Sequence, residues 1–186
     1  MKEEGLFAGK NGWIFTGIIL ILVVIAFTVV VYFFITYKDD NAPYTFTKNL
    51  PMTNSTTPGT NIYDAKCNDG AFVTSFNSNV DKGINQLSAA CSNKEILGPF
   101  GSSLAGVPGN DVRSESGFTK VNVWYDNRVN GMNVFNGNEF HTIGTLIGNE
   151  NVQDCGADGR IVGLIGNGDG LVSNLGMICG YKYKQQ

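Results

Sequence analysis

The chain has 186 residues, a net charge of −3 and a pI near 5.1. With no basic stripe, these totals argue against nucleic acid as a partner. Twenty-four glycines and 21 asparagines against five prolines point to many turns with positive φ, and the composition beyond residue 40 favours one all-β domain.

Residues 1–12, MKEEGLFAGKNG, form a short tail too small to fold alone. Residues 13–37, WIFTGIILILVVIAFTVVVYFFITY, hold 25 positions without a charge, and 17 of them are Ile, Leu, Val or Phe. An apolar run of ~18 or more reads as a membrane-spanning helix, and at ~1.5 Å per residue this one would extend about 37 Å against a hydrocarbon core of ~30 Å. At about −0.3 to −0.6 kcal/mol per apolar residue, insertion is favoured by roughly −5 to −10 kcal/mol. Trp13, Tyr32 and Tyr37 suit the interfacial belts at the two ends. A cleaved signal peptide would have an apolar core of only ~7–15 residues and a small-residue cleavage site, whereas YKDD follows here.

Residues 38–62 are rich in Thr, Asn and Pro and lack periodic apolar spacing, so they read as a semi-stiff stalk. The sequon Asn54-Ser55-Thr56 makes Asn54 a glycosylation candidate. All four cysteines, Cys67, Cys91, Cys155 and Cys179, follow the apolar run. An even count on one side predicts two disulfides in an oxidising compartment. Charges flanking the run are mixed on both sides and orient it poorly. The cysteines therefore decide the expected topology, with the N-terminus cytoplasmic or internal and the domain external. Zinc is a poor rival, because no C-x2-C pair exists and His141 is the only histidine.

An internal repeat begins at Cys67. CNDGAFVTSFNSNVDKGINQLSAAC (67–91) and CGADGRIVGLIGNGDGLVSNLGMIC (155–179) share the order Cys, Asp-Gly, strand, polar loop, strand, Cys, with a cysteine separation of 24 in both. A weaker copy without cysteines, FTKVNVWYDNRVNGMNVF, spans 118–135. Self-similarity of this kind marks a repeat architecture. Alternation places Val121, Val123 and Tyr125 on one face of a strand, with Asp126-Asn127 as the tight turn that follows. Ile161 to Gly166 reads as a strand buried on both faces.

If each copy is a hairpin, its cysteines lie at the two outer ends and antiparallel pairing brings them together. That predicts Cys67–Cys91 and Cys155–Cys179, each closing a loop worth about 3.5 kcal/mol in the chain-entropy model. The alternatives, Cys67–Cys179 with Cys91–Cys155 and Cys67–Cys155 with Cys91–Cys179, would tie copies together.

Catalytic signatures are weak. GNGDG (166–170) is not followed by a helix and lacks the dinucleotide glycine spacing, so it reads as a turn. DCGADG (154–159) lacks the carboxylates of a calcium loop. His141 sits in GNEFHTIG with no G-x-S-x-G elsewhere, and reads as a surface or strand residue. The polar positions Asn77, Ser78, Asn79, Asp81 and Lys82, with Asp126, Asn127, Asn167 and Asp169, read as an exposed loop set.

Three sheet-forming repeats, the segment GPFGSSLAGVPGNDV (98–112) and the block VNVWYDNRVNGMNVF together resemble a jacalin-type β-prism. The cysteine-bounded copies also resemble the prism of vitelline membrane outer layer proteins. The resemblance covers about residues 63–181. It implies three four-stranded sheets forming the walls of a prism, with sugar held by loops at one end. The loop that matches is GNGDGLVS (166–173). The carboxylate that the family places before the second strand is Asn85, Asn130 and Ser173 in the three copies, while Asp169 stands in another register. The recognition residues expected on this basis are Asn77, Asn79, Asp126, Asn127, Gly166, Asn167, Asp169 and Ser173.

The sequence thus reads as a tail (1–12), a transmembrane helix (13–37), a stalk (38–62) and an all-β, three-sheet β-prism (63–184). It is expected to work by contact, without catalysis, metal or cofactor. Its expected partners are the lipid bilayer and neighbouring proteins of a larger assembly. The leading expectation is a structural or adhesion module tying a membrane to an outer protein layer such as a virion coat. The alternative is a membrane-bound, glycan-binding lectin.

Overall fold

In the computed structural model the described residues are 10–36, 42–102 and 106–183. They fall in two compact units that divide after Asn41.

The first unit carries one helix, α1 (Lys10–Thr36). Its described side chains, 17–32, are exposed all round, as expected of a run with no polar face. The hydroxyl of Thr28 donates back to the carbonyls of Val24 (2.5 Å) and Ile25 (3.1 Å), so this polar side chain is satisfied within the helix. Among the described residues, no helix is long and apolar enough to cross a membrane. The helix starts within the expected tail, at Lys10. Residues 1–9 and Tyr37 lie outside the described residues.

The second unit is built only of strands among its described residues. These are β1 (Phe46–Asn49), β2 (Asn61–Lys66), β3 (Val73–Val80), β4 (Ile84–Cys91), β5 (Ile96–Gly101), β6 (Val107–Pro108), β7 (Val112–Arg113), β8 (Lys120–Tyr125), β9 (Val129–Asn136), β10 (Glu139–Gly144), β11 (Asn149–Asp154), β12 (Gly159–Gly168) and β13 (Asn174–Tyr181). They form three antiparallel sheets with orders β1-β13-β12-β2, β5-β4-β3-β6 and β10-β9-β8-β11, with β7 also paired to β3.

Each sequence copy supplies the central hairpin of one sheet: β3/β4, β8/β9 and β12/β13. In the second and third sheets the outer pair of strands follows its hairpin in the chain. In the first, the outer pair β1 and β2 comes from upstream of all three hairpins. The stalk expected over 38–62 is therefore corrected. Residues 42–62 belong to the β unit, where β1 lines β13 and β2 lines β12. Residues 38–41 of that expectation lie outside the described residues.

The alternating faces meet inside. Phe76 and Phe118 lie 5.3 Å apart between ring centroids, and Leu87, Val121, Val123, Met132, Leu164, Leu175 and Met177 close around them with no exposed surface. The strand Ile161–Gly166 is buried on both faces as expected. Both cysteine pairs are intra-copy, with Cα separations of 5.8 Å for Cys67–Cys91 and 5.4 Å for Cys155–Cys179.

Near one end of the prism the second strands of the hairpins begin together. Ile84, Val129 and Val172 are each fully buried. The Val129 N–H donates to the Val172 carbonyl (2.9 Å), and the Val172 N–H donates to the Ile84 carbonyl (3.2 Å). The ends of β5 and β10 repeat too. Gly101 (φ +83°) presses on the Asn85 carbonyl and Gly144 (φ +72°) on that of Asn130, two matched positions where a side chain has neither room nor an allowed φ.

One buried side chain stitches two walls. Gln153 on β11 donates from Nε2 to the Leu175 carbonyl (3.0 Å) and accepts the Met177 N–H at Oε1 (2.6 Å). Replacing Gln153 with Leu strands the Met177 N–H in the interior, at a cost of about 1–3 kcal/mol. The expected result is a lower urea midpoint at unchanged slope, and a midpoint equal to wild type would contradict this role.

Candidate functional site

The end where Ile84, Val129 and Val172 meet carries the three hairpin loops: 81–83, 126–128 and 169–173. Gly83 lies directly against Arg128 and the Val129 carbonyl, so two of the loops touch. The turn at Asp126-Asn127 is a three-residue connection, since Tyr125 pairs with Val129. The Asp126 N–H donates to the Arg128 carbonyl (3.1 Å), and the Asn127 N–H donates to the Asp126 carboxylate (2.5 Å).

Of the eight expected recognition residues, Asp126, Asn127, Asp169 and Ser173 are in these loops. Asn77 and Asn79 are corrected to strand β3, along with Ser78, and Gly166 and Asn167 to strand β12. Phe76 and Ser78 face inward on β3, so Asn77 and Asn79 face outward from the sheet, and Asn79 donates across the hairpin to Gln86 (3.2 Å). Ser173 is buried and its N–H donates to the Asn167 carbonyl (2.9 Å). His141 is exposed on edge strand β10, opposite Val134. Asn54 is exposed between two buried neighbours, Thr53 and Ser55.

The segment expected as a stalk closes this end. After β1 the chain follows the β13 edge, with the Leu50 N–H on the Met177 carbonyl and the Thr53 N–H on the Leu175 carbonyl. It then crosses the hairpin loops. The Ser55 N–H donates to Asn174 Oδ1 (2.7 Å), the Thr56 N–H to the Asp126 carbonyl (3.1 Å), and the Thr57 hydroxyl to the Asn127 carbonyl. Asn174 Nδ2 donates to Asn167 Oδ1 (3.0 Å), which also accepts the Gly59 N–H (3.2 Å). Gly59 packs on the backbone of Gly168 and Asp169 with no space for a side chain.

Asp169 is the last anchor. Its carboxylate accepts the Thr60 N–H (2.8 Å), the Thr60 hydroxyl (2.9 Å) and the Asn61 N–H (3.1 Å). These three donors, with the Thr60 N–H first, hold the exposed carboxyl below its ordinary pKa. The donors that a sugar's hydroxyls would offer an aspartate here come instead from the chain's own strap. Beside it lies a cleft of about 200 Å³ bounded by Asn61, Tyr63, Phe100, Gly168 and Gly170. Tyr63 stacks on Phe100 at 4.3 Å and donates its hydroxyl to the Asn174 carbonyl (2.6 Å), and burial pushes its phenol pKa up. The cleft is smaller than the ~300–1,000 Å³ of ordinary small-molecule sites. Among the described residues no group of three or more His, Cys, Asp or Glu could hold a metal ion.

Sequence reasoning missed the strap residues Thr53, Thr60 and Asn61, and it passed over Asn174. The available signal was chemical: Ser, Thr and Asn pair readily with backbone groups, so a stretch rich in them suits a segment fastened by side chains as well as a solvated linker.

No family model and no curated protein matches the chain. Solved structures do. A mannose-binding jacalin-related lectin from Ananas comosus is 15% identical, with 73% of this chain and 98% of that one covered, at TM-score 0.58. A mannose-specific jacalin-related lectin from Morus nigra, solved with mannose, is 13% identical, covering 78% and 99% at TM-score 0.57. A lamprey immune protein is 14% identical over 71% of this chain at TM-score 0.57, and the match spans 44% of that protein's length. At these identities the likeness is one of fold, and the fold is the jacalin-type β-prism.

The strap's electrostatics have a defined sign. Because the folded Asp169 pKa is lowered, its contribution is complete above the unfolded value of ~3.9 and is lost as pH falls through the folded one. Carbon-13 titration of the Asp169 carboxyl is expected to show a midpoint below the ordinary aspartate range, moving up in Thr60→Val. An ordinary midpoint in the wild-type chain would contradict the three-donor cap.

Proposed function

We propose that this chain is a carbohydrate-binding β-prism displayed at a membrane by its N-terminal apolar helix. The observation that carries the first half is the structural likeness to jacalin-related lectins over nearly the whole length of those chains. The module works by contact and turns nothing over. Its loops and outward sheet faces present amides and hydroxyls, the groups that hydrogen-bond sugars.

The second half rests on the sequence and on α1. The run 13–37 is uncharged for 25 residues, and the backbone is helical over Lys10–Thr36. The two disulfides support an oxidising side for the prism and an internal side for the N-terminus. On that side Asn54, exposed on the strap, is a glycosylation acceptor.

A second reading is favoured by one specific observation, the capped Asp169 loop together with Asn85, Asn130 and Ser173 at the positions of the family carboxylate. On that reading the prism is a structural or adhesion module joining a membrane to an outer protein layer, as in a virion coat.

A glycan array probed with the full chain in detergent separates the two. Binding that free monosaccharide competes away supports the lectin, and silence across the array would overturn it. For the anchor, the full chain is expected to stay with membranes through alkaline carbonate extraction. Ile21→Lys with Val24→Lys is expected to release it, at about 2.5–3.5 kcal/mol of insertion free energy per charge. Wild-type chain found in the carbonate supernatant would contradict anchoring.

A further inference from the structure

Within the carbohydrate-binding reading, we propose that the sugar site is the open trough on the outer face of the β5-β4-β3-β7 wall, away from the strap-closed end, and that it takes a neutral oligosaccharide of several rings. The inference rests on the proposed function and adds the location and ligand class.

The trough follows from strand register. Ala90 on β4 faces Ser75 on β3, and Ser88 faces Asn77, so the middle of this wall is lined by short side chains. Taller residues flank them. Ile96 on β5 pairs with Ala90 on one side, and Arg113 on β7 pairs with Ser75 on the other. Ile96 is 61% exposed, and the Arg113 side chain is 77% exposed. The Arg113 guanidinium is clamped on Asp111 by Nε (2.7 Å) and by the ion pair (2.6 Å), which holds it as a fixed bank. The hollow between the banks is about 650 Å³. That lies within the ~300–1,000 Å³ of ligand sites, and it exceeds the cleft beside Asp169 about threefold.

Hydrogen-bonding capacity distinguishes the trough from the cleft beside Asp169. At the closed end the side chains of Asp169, Asn167 and Asn174 are committed to the strap and to each other. In the trough, Asn77, Lys94 and Glu115 are exposed and make no side-chain hydrogen bond among the described residues. Their donors and acceptors are spent on water and can be exchanged for sugar hydroxyls at little net cost. An aliphatic bank at Ile96 offers apolar surface to the C–H face of a pyranose. Charge is balanced, with Lys94 against Glu115 and Arg113 against Asp111, so the trough has no excess attraction for an anion.

The test is a titration of the full chain in detergent micelles with mannotriose, cellotriose and chitotriose, followed by amide NMR, alongside Asn77→Ala/Lys94→Ala. These two positions are exposed, so the double variant is expected to fold, and unchanged spectra elsewhere verify this. The expected result is shifts confined to the trough strands, with affinity reduced about tenfold or more in the double variant. Shifts at Thr60, Asn61 and Asp169, with the double variant unaffected, would overturn the trough and leave carbohydrate binding standing. No binding of any trisaccharide at ~10 mM, a concentration that still detects mM affinities, would overturn both.

Discussion

Two backbone hydrogen bonds at the meeting point of the hairpins govern the β unit: Val129 N–H to the Val172 carbonyl, and Val172 N–H to the Ile84 carbonyl. They join the three copies at equivalent positions and hold the starts of their second strands together at one end. The rest follows from that geometry. The inward faces converge on Phe76 and Phe118, a buried interior that no single hairpin could form alone. A backbone linkage suits this place, because it leaves no orphan amide where the strands leave their own sheets. The disulfides act at the opposite ends of their hairpins, fastening the first and last residues of two copies while the axis holds the turns.

The first sheet differs from the others because its outer strands arrive before its hairpin. In the wall built on β8 and β9 a short connection, 145–148, steps over the hairpin from Asn130 to Tyr125. In the first wall that step is the run 50–60, long enough to cross the turns of two hairpins and to reach Asp126, Asn127 and Asp169. Asn174 Oδ1 and Asn167 Oδ1 receive backbone N–H groups of the passing chain, so its polar groups are satisfied by side chains rather than by a ladder. A connection with this many specific anchors is part of the folded body. It also occupies the Asp169 carboxylate and the Asn167 and Asn174 amides at that end of the prism.

Much of the wall architecture was legible in the sequence. The equal cysteine separations and the alternation in Lys120–Tyr125 identified the hairpins, since a period of two along a strand is enforced by which face is buried. The strap was not legible. Its partners lie 70 or more residues downstream, and a Thr-, Asn- and Pro-rich composition looks the same in a solvated linker as in a tertiary clamp. The placement of Asn77 failed for a related reason. In VTSFNSNV only Val73, Phe76 and Val80 are apolar, because Ser78 takes an inward position against Gly109, and that polar residue hides the strand period. Asp169 looked like an open ligand group because a sequence shows the carboxylate and conceals its occupants.

Everything in this account turns on the strap being built into the prism and closing its end. Native-state hydrogen exchange on the full chain at neutral pH measures that directly. The amides of Thr53, Ser55, Thr60 and Asn61 are expected to be protected and to open cooperatively with β12 and β13. Exchange of these four amides at the rate of an unstructured peptide, with the β12 and β13 amides still protected, would make 50–60 a free tether and contradict it.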